Sequence, residues 1–271
     1  MPVPAALPPG ASTPIRLALA ACLLFALACP AAGRALCPAD RFDAQARVRY
    51  VDDGDTLTLE DGRRVRLIGL NAPEIPHRDR PGEPGGIEAR NRLRALVDAS
   101  GRRVRLRFDA ERRDRHGRLL AHVFDRNGRL LSALLIDSGL AFAVTIPPNL
   151  WQADCLHRLD RQAQRARRGL WGRAAWAPLE ADRPADFRRL RPGFRRLRGR
   201  VRNVTRFRRG TRVRLSHLAQ LWIPARYRRY FSGDPPARWR GRRIEARGWM
   251  HPWHGRWELT LTHPLNLRRL P

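Results

Sequence analysis

From Ala46 to Asn71 the sequence alternates: Val48 and Tyr50, Leu57 and Leu59, Val65 and Leu67 stand two residues apart with polar residues between them. Successive side chains of a strand point to opposite faces, so this period writes one buried face and one wet face. Asp53-Gly54 and Asp61-Gly62 interrupt the run as turn dipeptides. Three short antiparallel strands are expected, and such strands must hide their edges.

The next stretches supply what hides them. After a Pro/Gly-rich loop at 75–86, Ile87 to Val97 places Leu93, Leu96 and Val97 on one side of a helix. Val104 to Phe108 and Leu120 to Phe124 return to strand character around the loop at 109–118. A short helix at Leu130–Ser138 ended by Gly139, a strand at 140–145, and a helix from Gln152 to Arg168 stopped by Gly169 complete the order. A small closed barrel with helices packed on it accommodates that order.

Residues 173–193 hold Pro178, Pro184 and Pro192 with scattered charge and no period, which reads as a linker. Beyond it the composition changes. All 54 basic residues of the 271-residue chain are arginine, and residues 183–271 carry 25 of them against four acids, hence +21 of the formal +29. Alternating runs such as "TRVRLSHL" and "RWELTLTHP" make this tail a second small β-domain at 194–271. Its charge favours polyanions, nucleic acid first and anionic membrane second. Trp222, Trp239, Trp249, Trp253 and Trp257 either stack single-stranded bases or pack inside the domain.

At the other end, Arg16 precedes the apolar run Leu17 to Ala28, followed by small residues. That is the pattern of a secretory signal peptide, here residues 1–35, with cleavage after Ala28, Ala32 or, the favoured point, Ala35, and the run is short of the ~20 residues a spanning helix needs. Export to the periplasm or medium is expected. Lipoprotein processing at Cys22 is the alternative, because Leu19-Ala20-Ala21-Cys22 has lipobox form. Removing the signal leaves Cys37 and Cys155, an even pair in an oxidising compartment and so expected to form a disulfide.

"VDDGDTLTLEDGRRVRLIGLNAPE" (51–74), "GIEA" (86–89), "RDRHGRLLAHV" (113–123) and "LLIDSGLA" (134–141), in this order, resemble the staphylococcal-nuclease-like (thermonuclease) domain over about Ala46 to Trp171. The resemblance implies an α+β fold, a five-stranded OB-type barrel with three helices at 36–172, to which the tail adds a second, mainly β, OB-like domain. It also implies an enzyme that hydrolyses phosphodiester bonds of DNA and RNA with calcium. Carried over by motif, Glu74 is the general base, Arg66 and Arg118 contact phosphate, and Asp55, Asn71 and the Ala72 carbonyl ligate Ca2+, with Asp53 and Thr56 beside them.

The chemistry of these residue types agrees. Phosphodiester hydrolysis needs an activated water, cations for the oxygens and usually a hard metal, and arginine forks match phosphate. Asn71 departs from the pattern, since it stands where the family has a second carboxylate. Thr145 and Pro147 stand near the places of two pocket tyrosines, and His116 replaces another tyrosine. A catalytically weak or inactive nucleic-acid-binding barrel of the cell envelope is therefore the rival to an active nuclease, and a cell-envelope protein binding anionic lipid or polysaccharide is a third reading. The basic tail is expected to aid nucleic-acid binding.

Overall fold

The computed structural model describes residues 1–4, 36–78 and 80–271. The expected signal peptide therefore lies, apart from its first four residues, outside the described residues. No helix among the described residues is long and apolar enough to cross a membrane.

The alternating run folds as β1 (Ala44–Val51), β2 (Thr56–Leu59) and β3 (Arg64–Leu67), antiparallel in sequence order. The short β4 (Leu70–Asn71) follows. Helix α1 (Gly86–Ala99) buries Leu93, Leu96 and Val97, the predicted stripe. Strands β5 (Arg103–Arg107) and β6 (Leu119–Phe124), helix α2 (Leu131–Asp137), strand β7 (Phe142–Ala143) and helix α3 (Ala153–Arg165) complete the first half. Strands β1-β2-β3-β6-β5 close into a barrel, so the open edges disappear. Val48, Leu57, Leu59, Val65 and Leu67 face inward with the helices' apolar stripes. Cys37 and Cys155 form a disulfide with Cα atoms 5.8 Å apart, tying the lead-in of β1 to α3.

The second half is mainly β. It contains β8 (Leu179–Glu180), β9 (Gly193–Arg200), β10 (Asn203–Phe207), β11 (Gly210–Arg214), β12 (Ala219–Pro224), β13 (Arg243–Trp253), β14 (Arg256–Thr260) and β15 (Leu267–Arg269). They form one eight-stranded sheet in the order β10-β11-β12-β14-β13-β9-β8, with β15 beside the start of β13. Leu197, Leu221, Trp239, Ile244 and Leu259 fill its core. Trp239 is fully buried, so among the five tail tryptophans it belongs to packing; Trp249 and Trp253 stay exposed.

The segment 173–193, read as a linker, carries β8 paired to β9 and buries Trp176, Ala181 and Phe187. It runs along a seam, because Ala35–Pro271 is one compact unit. Phe142, Val144, Leu170, Trp176 and Phe194 form the seam's apolar core, with Phe142 and Phe194 stacked at 5.6 Å. Full burial of such a ring stabilises by roughly 1.5–3 kcal/mol. Polar ties flank it. Asp160, fully buried, accepts from the Ala143 N–H at 2.9 Å and from Arg247 at 2.6 Å. Asn266 accepts from the Thr145 N–H at 2.9 Å and donates to the Thr145 carbonyl at 2.8 Å.

Candidate active site

The turn between β1 and β2 begins the site. The Asp53 carboxylate accepts the Asp55 N–H at 2.8 Å, a local bond that Asp makes readily in turns. Between them Gly54 has no room for a side chain: a Cβ would lie 2.5 Å from the Ala72 Cβ and 2.7 Å from the Ala89 Cβ. The missing Cβ lets the turn press against the segment after β4 and against α1. Two stretches 17 residues apart thereby meet, and the Ala72 N–H donates to Asp55 Oδ2 at 3.1 Å.

Asp55 is the buried centre. Its Oδ2 also pairs with Arg66 Nη2 at 3.0 Å, and its Oδ1 accepts the Thr56 hydroxyl at 3.1 Å. Burial pushes the Asp55 carboxyl upward, Arg66 opposes that rise, and Asp53 adds to it. Arg66, on β3, is pinned further by donating to the Leu67 carbonyl at 2.8 Å and the Leu70 carbonyl at 3.1 Å. Of its five N–H groups, those on Nε and one on Nη1 keep no protein acceptor among the described residues.

Arg118, just before β6, reaches the Thr56 hydroxyl with Nη1 at 3.4 Å while its Nε donates to Asp114 at 2.8 Å. Asp114 also accepts the Arg118 and His116 N–H groups, which builds the Gly117 turn around one carboxylate. A continuous row results: Arg118, Thr56, Asp55, Arg66. Glu74 stands beside it, open to solvent. Partial burial of its carboxyl raises Glu74 above the ordinary carboxylate range, the charges of Asp53 and Glu83 raise it further, and Arg66 and His77 oppose them. Its position is set from behind, since Gly86 packs its bare Cα against the Glu74 carbonyl.

The expected cation ligands share one chemistry. The Asp55 carboxylate, the Asn71 carboxamide and the Ala72 carbonyl are oxygen donors of the kind calcium takes. Asn71 is buried and its amide nitrogen donates to the Ala72 carbonyl at 3.2 Å. The set holds a single carboxylate, and among the described residues there is no group of three or more His, Cys, Asp or Glu placed to hold a metal. The donor type fits a hard cation, with a single carboxylate to offset its charge.

Glu83 escaped the sequence reading. Its Oε2 accepts the Glu74 N–H at 3.2 Å and its Oε1 pairs with Arg195 of β9 at 2.8 Å, so one carboxylate links the Glu74 loop to the second sheet. It sits in a Pro/Gly-rich loop where nothing in the sequence singles it out. Asp114 was legible in principle, because Asp three residues before Gly and four before Arg forms such a turn. His116 is exposed against Arg115, whereas Thr145 is buried under Thr262 and Asn266 and bonds His157 at 3.0 Å.

Comparison with known proteins places the same part of the chain in a family. The staphylococcal nuclease homologue family profile matches residues 64–173. A protein described as thermonuclease, from Staphylococcus intermedius, is 35% identical over 129 residues, which cover 46% of this chain and 75% of that relative. The matched segment runs from β3 past α3 and the chain covers three quarters of that relative, so the chain belongs to the staphylococcal nuclease homologue family.

Proposed function

We propose that the chain is an exported, calcium-dependent nuclease that hydrolyses phosphodiester bonds of DNA and RNA. The observation that carries this reading is the Arg118–Thr56–Asp55–Arg66 row beside an open Glu74. In this mechanism a Glu74 carboxylate oxygen takes a proton from a water as the water's oxygen bonds to phosphorus, the bond from phosphorus to the leaving sugar oxygen breaks, and that oxygen takes up a proton from solvent. The raised affinity of Glu74 for protons suits a base. Free N–H groups of Arg66 and Arg118 take up the charge growing on the phosphate oxygens, and being already pinned they need little rearrangement to do so. Asp55, Asn71 and the Ala72 carbonyl would hold Ca2+, which supplies further charge neutralisation when bound. Export is supported by residues 1–35 and by the disulfide.

A second reading, a barrel that binds nucleic acid without cutting it, is favoured by one observation. The Asp55 oxygens already accept the Ala72 N–H, the Thr56 hydroxyl and Arg66, and Asn71 brings no charge. The deciding experiment incubates the purified chain with single-stranded DNA in calcium or in chelator, beside Glu74→Gln. Cutting in calcium alone, with the rate lowered ~10²–10⁴-fold by Glu74→Gln while binding persists, is the expected outcome. No cutting at any calcium concentration gives the case to the binding module.

A further inference from the structure

The seam opens on one side into a cleft of about 920 Å³. Its lining includes Asn71 and Glu74. The second half of the chain contributes Arg189, Arg191 and Trp249 to the lining. Among the described residues neither Arg189 nor Arg191 has an acidic partner, and both are exposed, whereas Arg195 and Arg196 in the same lining are neutralised by Glu83 and Glu245. The cleft therefore holds two guanidinium groups without an acidic partner among the described residues, in the same lining as the candidate base. Trp249 is 37% exposed. Trp249 meets Phe194 in a T-shaped contact at 5.4 Å and 78°, and Phe194 stacks on Phe142. His251 and Trp253 follow on β13 at alternate positions, so the three rings belong to one face of the strand, with Trp253 43% exposed.

We propose that this cleft is a binding site for single-stranded nucleic acid, supplied by the second half of the chain: Trp249 stacks a base next to the phosphate at Glu74, and Arg189 and Arg191 hold the adjoining backbone. An indole face stacks only a base that is free of its neighbours, so the strand must be single at that point. Forked guanidinium groups suit phosphodiester oxygens. His251 and Trp253 continue the track. The placement of the scissile phosphate rests on the nuclease reading of Glu74; the binding site does not.

The test reads binding, in chelator so that nothing is cut. The full chain is titrated with a roughly 12-nucleotide single-stranded DNA, with an abasic strand of the same length and with a duplex. Trp249→Ala should weaken single-strand binding about 5- to 100-fold, Trp249→Phe should restore most of it, and neither should change affinity for the abasic strand. Exchanging Arg189 and Arg191 together for Gln should flatten the dependence of log affinity on log salt by about 1.4, since each single-strand phosphate contributes ~0.7. Unchanged single-strand affinity in Trp249→Ala, or an equal loss on the abasic strand or the duplex, overturns the proposal. Absence of cutting by the wild type in calcium would instead count against the nuclease reading alone.

Discussion

Replacing Glu245 with Gln removes a charge from the middle of the basic half. Glu245 lies on β13, 5% exposed, and its two oxygens accept from Arg196 at 2.7 Å, Arg198 at 2.9 Å and Arg268 at 3.1 Å. Burial alone would raise its carboxyl, but the charge and hydrogen bonds of Arg196 and its neighbours outweigh that and hold it at about 2 against an ordinary 4.5. Arg196 responds the other way, with burial lowering it and Glu245 opposing. A guanidinium remains charged throughout the range that matters, so the carboxylate governs the response. The depressed value ties the ionised form to the fold by about 3 kcal/mol. Because the folded value is below the unfolded one, that contribution is complete above about pH 5, falls to about half near pH 3 and disappears below about 2. Urea denaturation of wild type and Glu245→Gln should therefore differ by about 3 kcal/mol at pH 7, with a melting point lower by roughly 6–12 °C for a chain of this size. The gap should shrink as the solution is acidified. A difference under about 1 kcal/mol at pH 7, or one that acid leaves unchanged, would show that the three arginines do not depend on this carboxylate.

Three further outcomes are expected. Asn71→Asp restores a charge among hard oxygen donors and should lower the calcium concentration for half-maximal cutting; a calcium titration that is unchanged removes Asn71 from the ligand set. Gly54→Ala drives a Cβ into Ala72 and Ala89 and should cost about 1–3 kcal/mol in urea denaturation while slowing cutting, and a variant as stable and active as wild type would mean the turn yields freely. Exchanging Cys37 and Cys155 together for Ser opens a loop of 118 residues and should lower stability by about 3–5 kcal/mol in the chain-entropy picture, with an unchanged denaturation midpoint counting against it.

The barrel was legible because its signal is local. Leu57, Leu59, Val65 and Leu67 announce their buried face by spacing, and Leu93, Leu96 and Val97 do the same for α1. The segment 173–193 was not, for the opposite reason. Trp176, Ala181 and Phe187 stand singly among prolines and charges, and only contact with distant strands buries them. Trp249 and Trp239 look alike in sequence, yet one is open and the other enclosed, because strand position and the neighbouring 3-10 turns decide it. At the site, the positions of Asp55, Arg66, Glu74 and Arg118 came from motif resemblance. Their links through Thr56, and the tie from Glu74 through Glu83 to Arg195, are side-chain contacts across 62 and 112 residues that no period encodes.

Asn266 shows why the family-matching half is not a free-standing part. Its carboxamide offers the Thr145 backbone one acceptor and one donor, the same pair a neighbouring peptide group would provide. The first half thus borrows a rung of sheet from a side chain 121 residues away. Cut off after the family match, it would leave that backbone donor and acceptor unpaired and strip Trp176 and Phe194 from the Phe142 ring, which would keep Trp171 alone of its three aromatic neighbours. Grafting a different tail onto the barrel would meet the same difficulty, since a replacement must supply that amide in the same place. The two halves of this chain are exchangeable only as a pair.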